Sequence, residues 1–423
     1  MTHGFSDDCG PAMPAVAQAP YLAGSPTLAK VLDNELCTGC GLCAAIAGDA
    51  IRMVIDTRGF ARPEVVAPIP RSAEARIASA CPGVIIAPWR AGAHPYWGPI
   101  EECATGHSTD DAVRFAGSSG GMLSALAIFA LEQGLVDAVV HVSADPGAPL
   151  KNITHVSRTA AQIIQCAGSR YGPSPMLEAI GPLLDSDERY LLIGKPCDVS
   201  AMRQLATVDP RVDQRFVFML SFFCGGMPSL LGTRAIVAEL GLDPDALAAF
   251  RYRGEGWPGQ ATAIANDGTR KQMSYARSWG DFLSGKVQYR CKICPDAVGG
   301  AADVACADAW YGGESGYPQF EEQEGRSLVL TRTPAGKSLL ALAGAADAVA
   351  VAPLPVREID LMQPAQARRK RMVVPRSLAA RLMLQGQPTM RSLGLIAATR
   401  RSGAGEWLRN LAGSIWRIAK GRR

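Results

Sequence analysis

The chain has 423 residues, enough for two to three domains, and its 48% hydrophobic and 19% charged content excludes a chain disordered throughout, a collagen and a coiled coil. The net charge of +4 is unevenly placed: Ala367 to Arg423 holds fourteen Lys/Arg against Glu406 alone (+13), leaving 29 basic and 38 acidic residues (−9) on the rest. Cys 12 is the unusual count; MTHGFSDDCG has no apolar h-region to direct export, so metal or redox roles are expected before disulfides, in a cytoplasmic protein. The longest apolar stretch, between Arg114 and Glu132, is broken by GSSGG, and no transmembrane helix is expected.

In chain order, residues 1–30 read as a loose Ala/Pro/Gly-rich N-terminus, and 31–105 as a small cysteine-bearing module with little room for a core. From about 106, helix and strand signals alternate, which predicts an α/β (mixed α+β) body divided at 106–185 and 186–350. SSGGMLSALAIFALEQG predicts a helix capped by Ser118 or Ser119 and stopped at Gly134. LVDAVVHVS (135–143) predicts a buried strand, ERYLLIGKPCDVSAMRQLA a strand, tight turn and helix, and FVFMLSFFC a strand ending at Cys224. TAIANDGTRKQMSY, with Asp267-Gly268 at the turn, predicts a hairpin. Gly254, Gly256 and Gly259 spell G-x-G-x-x-G, but the strand-like ATAIA follows where a dinucleotide site needs a helix, so that reading is rejected. Residues 351–423 form a basic helical tail, opening with RRKR (Arg368 to Arg371). In it Trp407, Leu408, Leu411, Ile415 and Ile418 recur at helical spacing. A helix on an anionic membrane surface and a helix packed on the body both fit that pattern. No nucleic-acid motif accompanies the charge.

Cys37, Cys40 and Cys43 stand as C-x2-C-x2-C in LCTGCGLC, followed by Cys81-Pro82, the spacing of a bacterial ferredoxin. Zinc favours paired C-x2-C units over a triplet, so a [4Fe–4S] cluster is expected here, with Gly39 and Gly41 letting the backbone approach it. Cys197, Cys224, Cys291 and Cys294 end or follow predicted strands and make a second set. Taken alone, these four suit zinc and [4Fe–4S] equally, and Cys197 in C-x-x-S at a helix start is also a candidate redox thiol. Cys9, Cys103 and Cys166 have no partner at ligand spacing.

Several stretches together resemble the coenzyme F-420 hydrogenase/dehydrogenase beta-subunit family, from about Cys37 to Gly313: SSGG (118–121), GSRY (168–171), GKPCDVSAMR with Lys195 where Thr is usual, FCGGMPS with Gly225 in place of His, FRYRGEGWPG, and RCKICPDAVGGAADVACADAW. The resemblance implies a ferredoxin-like module, an α/β flavin-binding domain and two [4Fe–4S] clusters, with Cys197, Cys224, Cys291 and Cys294 holding the second. Cys306 falls where the family usually has an aliphatic residue. The resemblance also implies FAD, with Ser118, Ser119, Gly120, Gly121, Gly168, Ser169, Arg170 and Tyr171 as candidate contacts and Lys195 near the flavin's N1 region.

The expected function is that of an iron–sulfur flavoprotein oxidoreductase. A ferredoxin or other one-electron donor feeds two clusters, then FAD, then an organic acceptor: a deazaflavin, a tetrapyrrole or a polysaccharide-pathway compound. The alternatives are a non-catalytic electron-transfer beta subunit and a zinc-stabilised binding module. The tail adds a candidate contact with an anionic membrane surface.

Overall fold

The computed structural model describes residues 21–312, 319 and 321–421. Residues 1–20, with Cys9, and Gly313 lie outside the described residues. From Tyr21 the N-terminus is structured, against the expectation of looseness to residue 30. Tyr21–Leu22 pairs with Ile69–Pro70, and helix α1 (Pro26–Asp33) is capped by Ser25, whose Oγ accepts from Leu28 N at 3.0 Å and donates to Glu74 at 2.6 Å. Helix α2 (Leu42–Ala47), the hairpin β1 (Ile51–Ile55) and β2 (Ala61–Val65), and helix α3 (Arg71–Ala80) complete this module. It does have a core: Leu28, Ala44, Ile51, Ile69, Ala73 and Ile77 pack around Cys43.

The body is built on one eight-stranded sheet. Its strands are β3 (Glu102–Ser108), β4 (Ala138–Asp145), β5 (Ala148–Ser157), β6 (Tyr190–Gly194), β7 (Phe216–Phe222), β8 (Val304–Asp308), β9 (Ser327–Thr331) and β10 (Val349–Pro353), in the spatial order β10-β3-β9-β8-β7-β6-β4-β5. β8, β7, β6 and β4 run parallel at the centre; the flanking pairs are antiparallel. The boundaries expected at 105, 185 and 350 therefore fall within the reach of a single sheet. Hydrogen bonding between strands far apart in sequence is invisible to local composition.

Central parallel strands are covered on both faces, which is why YLLIG and AVVHV read as continuous apolar runs. Successive residues face opposite ways: Val139, Leu191, Leu220, Val304 and Val329 pack under one helical layer, Val140, Leu192 and Met219 under the other. On the first face lie helix α4 (Met122–Glu132), apolar nearly all round and thus buried nearly all round, and Leu339 and Leu340 of a further helix, Pro334–Ala345. The second face carries helix α5 (Pro196–Ala206). The G-x-G-x-x-G turn joins antiparallel strands Leu247–Arg251 and Gln260–Ala265, with no helix after it, in agreement with its rejection. The hairpin to Arg270–Ser274 turns at Gly268, with φ of +85°.

The sheet edge places His141 opposite His155, with His141 Nε2 and Ser157 Oγ 2.8 Å apart. Burial, then the neighbouring His155, lowers His141 from 6.5 to about 4. The folded state thus favours the neutral ring, and its stability relative to the unfolded chain is intact above pH 6.5 and declines as pH falls towards 4. Acid unfolding monitored across that window should show a loss of up to about 3 kcal/mol that is absent in His141→Gln.

Candidate redox site

The LCTGCGLC loop enters α2, and Cys81 ends α3. Gly39 and Gly41 have φ of +72° and +88°. A Cβ on Gly41 would lie 2.6 Å from Pro175 O, so this glycine is fixed by the close approach of the 175–178 segment. Cys37, Cys40, Cys43 and Cys81 line one cavity with Leu28, Val31, Ile77 and Pro82. Burial pushes all four thiols up, Cys40 to about 11 and Cys81 to about 12. Mutual repulsion adds to this at Cys40, Cys43 and Cys81. Opposing it are N–H groups aimed at sulfur: Gly39 N at Cys37 (3.4 Å), Leu42 at Cys40, Ala44 at Cys43, and Gly83 and Val84 at Cys81. Thr38 Oγ1, buried without an oxygen or nitrogen partner, turns to Cys40. Four converging thiols with amide donors on each suit a multivalent cationic centre, which would hold the sulfurs as thiolates.

The second set gathers at the carboxyl ends of β6 and β7. Cys197 lies in the first turn of α5, Cys224 two residues past β7, and Cys291 and Cys294 in and after the short helix Tyr289–Lys292. Their charges act on one another: Cys224 and Cys291 on Cys197, Cys291 and Cys294 on Cys224, Cys291 on Cys294. Here too burial is the main cause of the raised thiols, with Cys224 at about 12. Gly226 N donates to Cys224 at 3.4 Å and Met227 N to Cys291 at 3.3 Å. Among the described residues no group of three ligands stands in metal-holding geometry around a common point; convergence and donor chemistry carry the fit. Gly225 answers to its neighbour Trp279, whose ring carbon lies 2.6 Å from where a Cβ would be. A histidine side chain would strike that ring.

Lys195 and Asp198 lie between the sets. Lys195 Nζ contacts Asp198 Oδ2 at 2.7 Å and donates to Ser174 O at 3.0 Å, and Asp198 Oδ2 also accepts from Lys195 N at 2.9 Å. Burial opposes the Lys195 charge, but Asp198, Cys197 and Cys40 outweigh it and the ammonium is held above its ordinary value. The sequence suggests Lys195 at a flavin; the structure places it against a carboxylate, among thiols.

Two expected flavin loops meet: Ser169 N donates to Ser118 Oγ at 2.5 Å. Neither serine caps α4. Ser119 Oγ bonds Ser327 Oγ at 2.7 Å, and the N-cap is Gly121, with φ of +72° and no side-chain acceptor. Gly120 must be glycine, since a Cβ would lie 2.6 Å from Gly106 O; Gly168 has φ of +103°. Tyr171 packs edge-on against Tyr252 and Trp279. Arg170 is turned inward. Its Nε donates to Asn152 Oδ1, NH1 to Phe250 O, and NH2 to Pro149 O, each at 2.7 Å, with Lys151 O a further acceptor at 3.1 Å. That leaves it little to offer a phosphate; it clasps the 149–152 and 250 segments together. Beside these loops, and unforeseen from the sequence, buried Arg253 makes a two-point pair with Asp308 (2.8 and 3.0 Å) and lies 4.3 Å from the Tyr275 ring, while Trp257 stacks on Trp310 at 4.8 Å. Their signal lay in FRYRGEGWPG and CADAW, motifs whose spacing alone points to no chemistry.

The tail is partly a brace. Helix α6 (Pro364–Arg371) sends Arg369 NH1 to Cys224 O (2.8 Å) and NH2 to Gly225 O (2.5 Å); Gln366 Nε2 reaches the same Cys224 O (3.1 Å). Lys370 donates to Pro295 O, beside Cys294, at 2.5 Å and sits 3.5 Å over the Trp89 ring.

Sequence models of the coenzyme F-420 hydrogenase/dehydrogenase beta subunit match 103–181 (N-terminal part) and 187–356 (C terminus), together over half of the chain. The chain belongs to this family. The matches include Cys197, Cys224, Cys291 and Cys294 and begin after the first cysteine set, later than the expected start at Cys37. A coenzyme F-420 hydrogenase subunit beta of Methanosarcina barkeri is 28% identical over 31% of this chain and 46% of its own length. One from Methanococcus voltae is 27% identical over 58% and 81%, and a chloroplastic 7-hydroxymethyl chlorophyll a reductase of Oryza sativa 22% identical over 52% and 45%. The chain thus spans about half the length of the first and third of these relatives. A chain of the F-420-reducing [NiFe] hydrogenase complex of Methanosarcina barkeri shares the fold, with a TM-score of 0.54 at 20% identity over 71% of this chain and 99% of that one.

The family member's Arg170 clasp gives a stability prediction. Arg170→Met strands Asn152 and three carbonyls, and denaturant unfolding should show a loss of about 3 kcal/mol or more; Arg170→Lys should recover a fraction of it.

Proposed function

We propose that the chain is an iron–sulfur flavoprotein oxidoreductase, carrying electrons from a ferredoxin or other one-electron donor through two [4Fe–4S] clusters to FAD and on to an organic acceptor. The observation that carries the reading is the pair of four-thiol sets, the first mostly buried and the second half-buried, adjoining one another across Lys195 and Asp198, each supplied with backbone N–H donors. Cys37, Cys40, Cys43 and Cys81 would hold one cluster and Cys197, Cys224, Cys291 and Cys294 the other. Such groups supply one-electron transfer and the flavin collects two electrons for the acceptor.

The chain's own residues do the rest. The uncapped first turn of α4 after Ser118–Gly121 leaves N–H groups for a pyrophosphate, and the joined 168–171 loop supplies a second wall with Tyr171. Lys195 and Asp198 keep a neutral balance between the thiol sets. Purified protein should carry about eight irons and a flavin spectrum; Cys43→Ala and Cys291→Ala should each retain about four irons. Bound zinc without flavin would overturn the redox reading.

A second reading, a non-catalytic subunit of a larger complex, draws on the shared fold with a chain of a hydrogenase complex. Turnover of a soluble acceptor by the isolated chain separates the two.

We further propose that the C-terminal helix touches an anionic membrane surface. No helix of the described residues is long and apolar enough to cross a membrane. In Ala404–Ala419, Ser414 and Ile418 are buried and Trp407 and Leu411 half-buried, facing the body, yet Leu408 and Trp416 remain 58% and 54% exposed beside exposed Arg409, Arg417 and Lys420. The apolar arc is wider than the surface on which it packs. Leu408→Ser with Trp416→Ser should reduce sedimentation with phosphatidylserine vesicles several-fold. Truncation at 367 is a poorer test, because it also removes Arg369 and Lys370 from the second thiol set.

A further inference from the structure

A polar chain runs directly from one thiol set to the other. Arg62, on β2 and only 8% exposed, faces the Cys37 sulfur and lowers that thiol against the effect of burial. Its NH1 donates to Gln288 Oε1 at 3.1 Å. Gln288, 4% exposed, donates through Nε2 to Thr38 O at 3.2 Å and lies with Nε2 3.6 Å from Cys291 Sγ. Thr38 is itself between Cys37 and Cys40. Nothing in the redox reading uses Arg62 or Gln288, and neither lies in a cysteine motif.

The amide has two ends, and its surroundings fix which end faces which set. A guanidinium only donates, so the end towards Arg62 must be the oxygen; the Thr38 carbonyl only accepts, so the other end must be the NH2. Arg62 therefore holds the Gln288 amide with its N–H towards the Cys291 sulfur. Were Arg62 removed, the Thr38 carbonyl alone would hold the amide, and its N–H would no longer be fixed towards that sulfur. A positive charge near an iron–sulfur centre and an N–H donor to its sulfur both favour the reduced, more negative state.

We propose that Arg62 and Gln288 form a bridge of positioning residues that couples the reduction potentials of the two thiol-bound centres, Arg62 acting on the first directly and on the second by orienting Gln288. The proposal rests on the reading of both sets as [4Fe–4S] sites.

The test is a redox titration of the full, iron-loaded chain followed by electron paramagnetic resonance, with Cys291→Ala used to assign the first centre's signal. Arg62→Met should move both centres to more negative potential, Gln288→Leu mainly the second. In the double variant the second centre should shift no further than in the more affected single variant. Arg62→Lys keeps a charge and donors and should restore part of both shifts, which a general loss of packing would not. Full iron with Arg62→Met moving the first centre alone, or neither, overturns the bridge and leaves the two-cluster reading standing. Wild-type protein lacking iron at either set overturns both together.

Discussion

Packing many thiols close together, largely out of water, is the constraint on which the rest of the structure depends. A thiol out of water resists ionisation, and neighbours of the same charge add to the resistance, as the raised Cys40, Cys43, Cys81, Cys197 and Cys224 show. A site of this kind needs compensating charge and N–H donors from several directions at once. Here they come from the LCTGCGLC turn, the residues after β7, Arg62, Lys195 and Arg369. Each sits on a different segment, so the site and the tertiary fold are specified together.

The sheet explains the placement. Strands β6, β7 and β8 run parallel, and their carboxyl ends lead into Lys195 and Cys197, into Cys224, and into Trp310 beyond Asp308. Loops at that edge of a parallel sheet are the usual place for ligands, because the strands fix where each loop begins while leaving its course open. The small N-terminal module then brings its thiols to the same edge. Leu177 N donating to Cys40 O at 2.8 Å, and Arg76 paired with Asp209 at 2.6 Å, hold it there.

Cys37, Cys40 and Cys43, and the pair Cys291 and Cys294, were legible in the sequence because their spacings are short, whereas Cys81, Cys197 and Cys224 stand far from any partner in the chain; the central strands were legible because burial on both faces leaves apolar runs. Other features depended on partners distant in sequence. Ser118 and Ser119 look like helix caps until Ser169 and Ser327 take their hydroxyls. Arg170 looks like an anion ligand until four acceptors from 149–152 and 250 surround it. Gln288 has no motif at all; its meaning lies in Arg62 and Thr38, each more than two hundred residues away.

The charge asymmetry of the chain takes on a different sense once α6 is in place. A surplus of cations at the C-terminus fits a helix on an anionic surface and a helix packed on the body alike, and Arg369 and Lys370 are packed against the body. They bond the carbonyls of Cys224, Gly225 and Pro295, next to two thiols of the second set. Burial pulls Lys370 down to about 7, and the Trp89 face beneath it with the Pro295 carbonyl keeps it seated. The peptide whose Gly225 carbonyl Arg369 grips is the one whose Gly226 N–H is aimed at the Cys224 sulfur, so this cation fixes the plane that supplies that donor. The basic surplus therefore divides by side chain: Arg369, Lys370 and Arg376 grip backbone carbonyls beside the second thiol set, and others, such as the exposed Arg368, Arg409, Arg417 and Lys420, meet solvent.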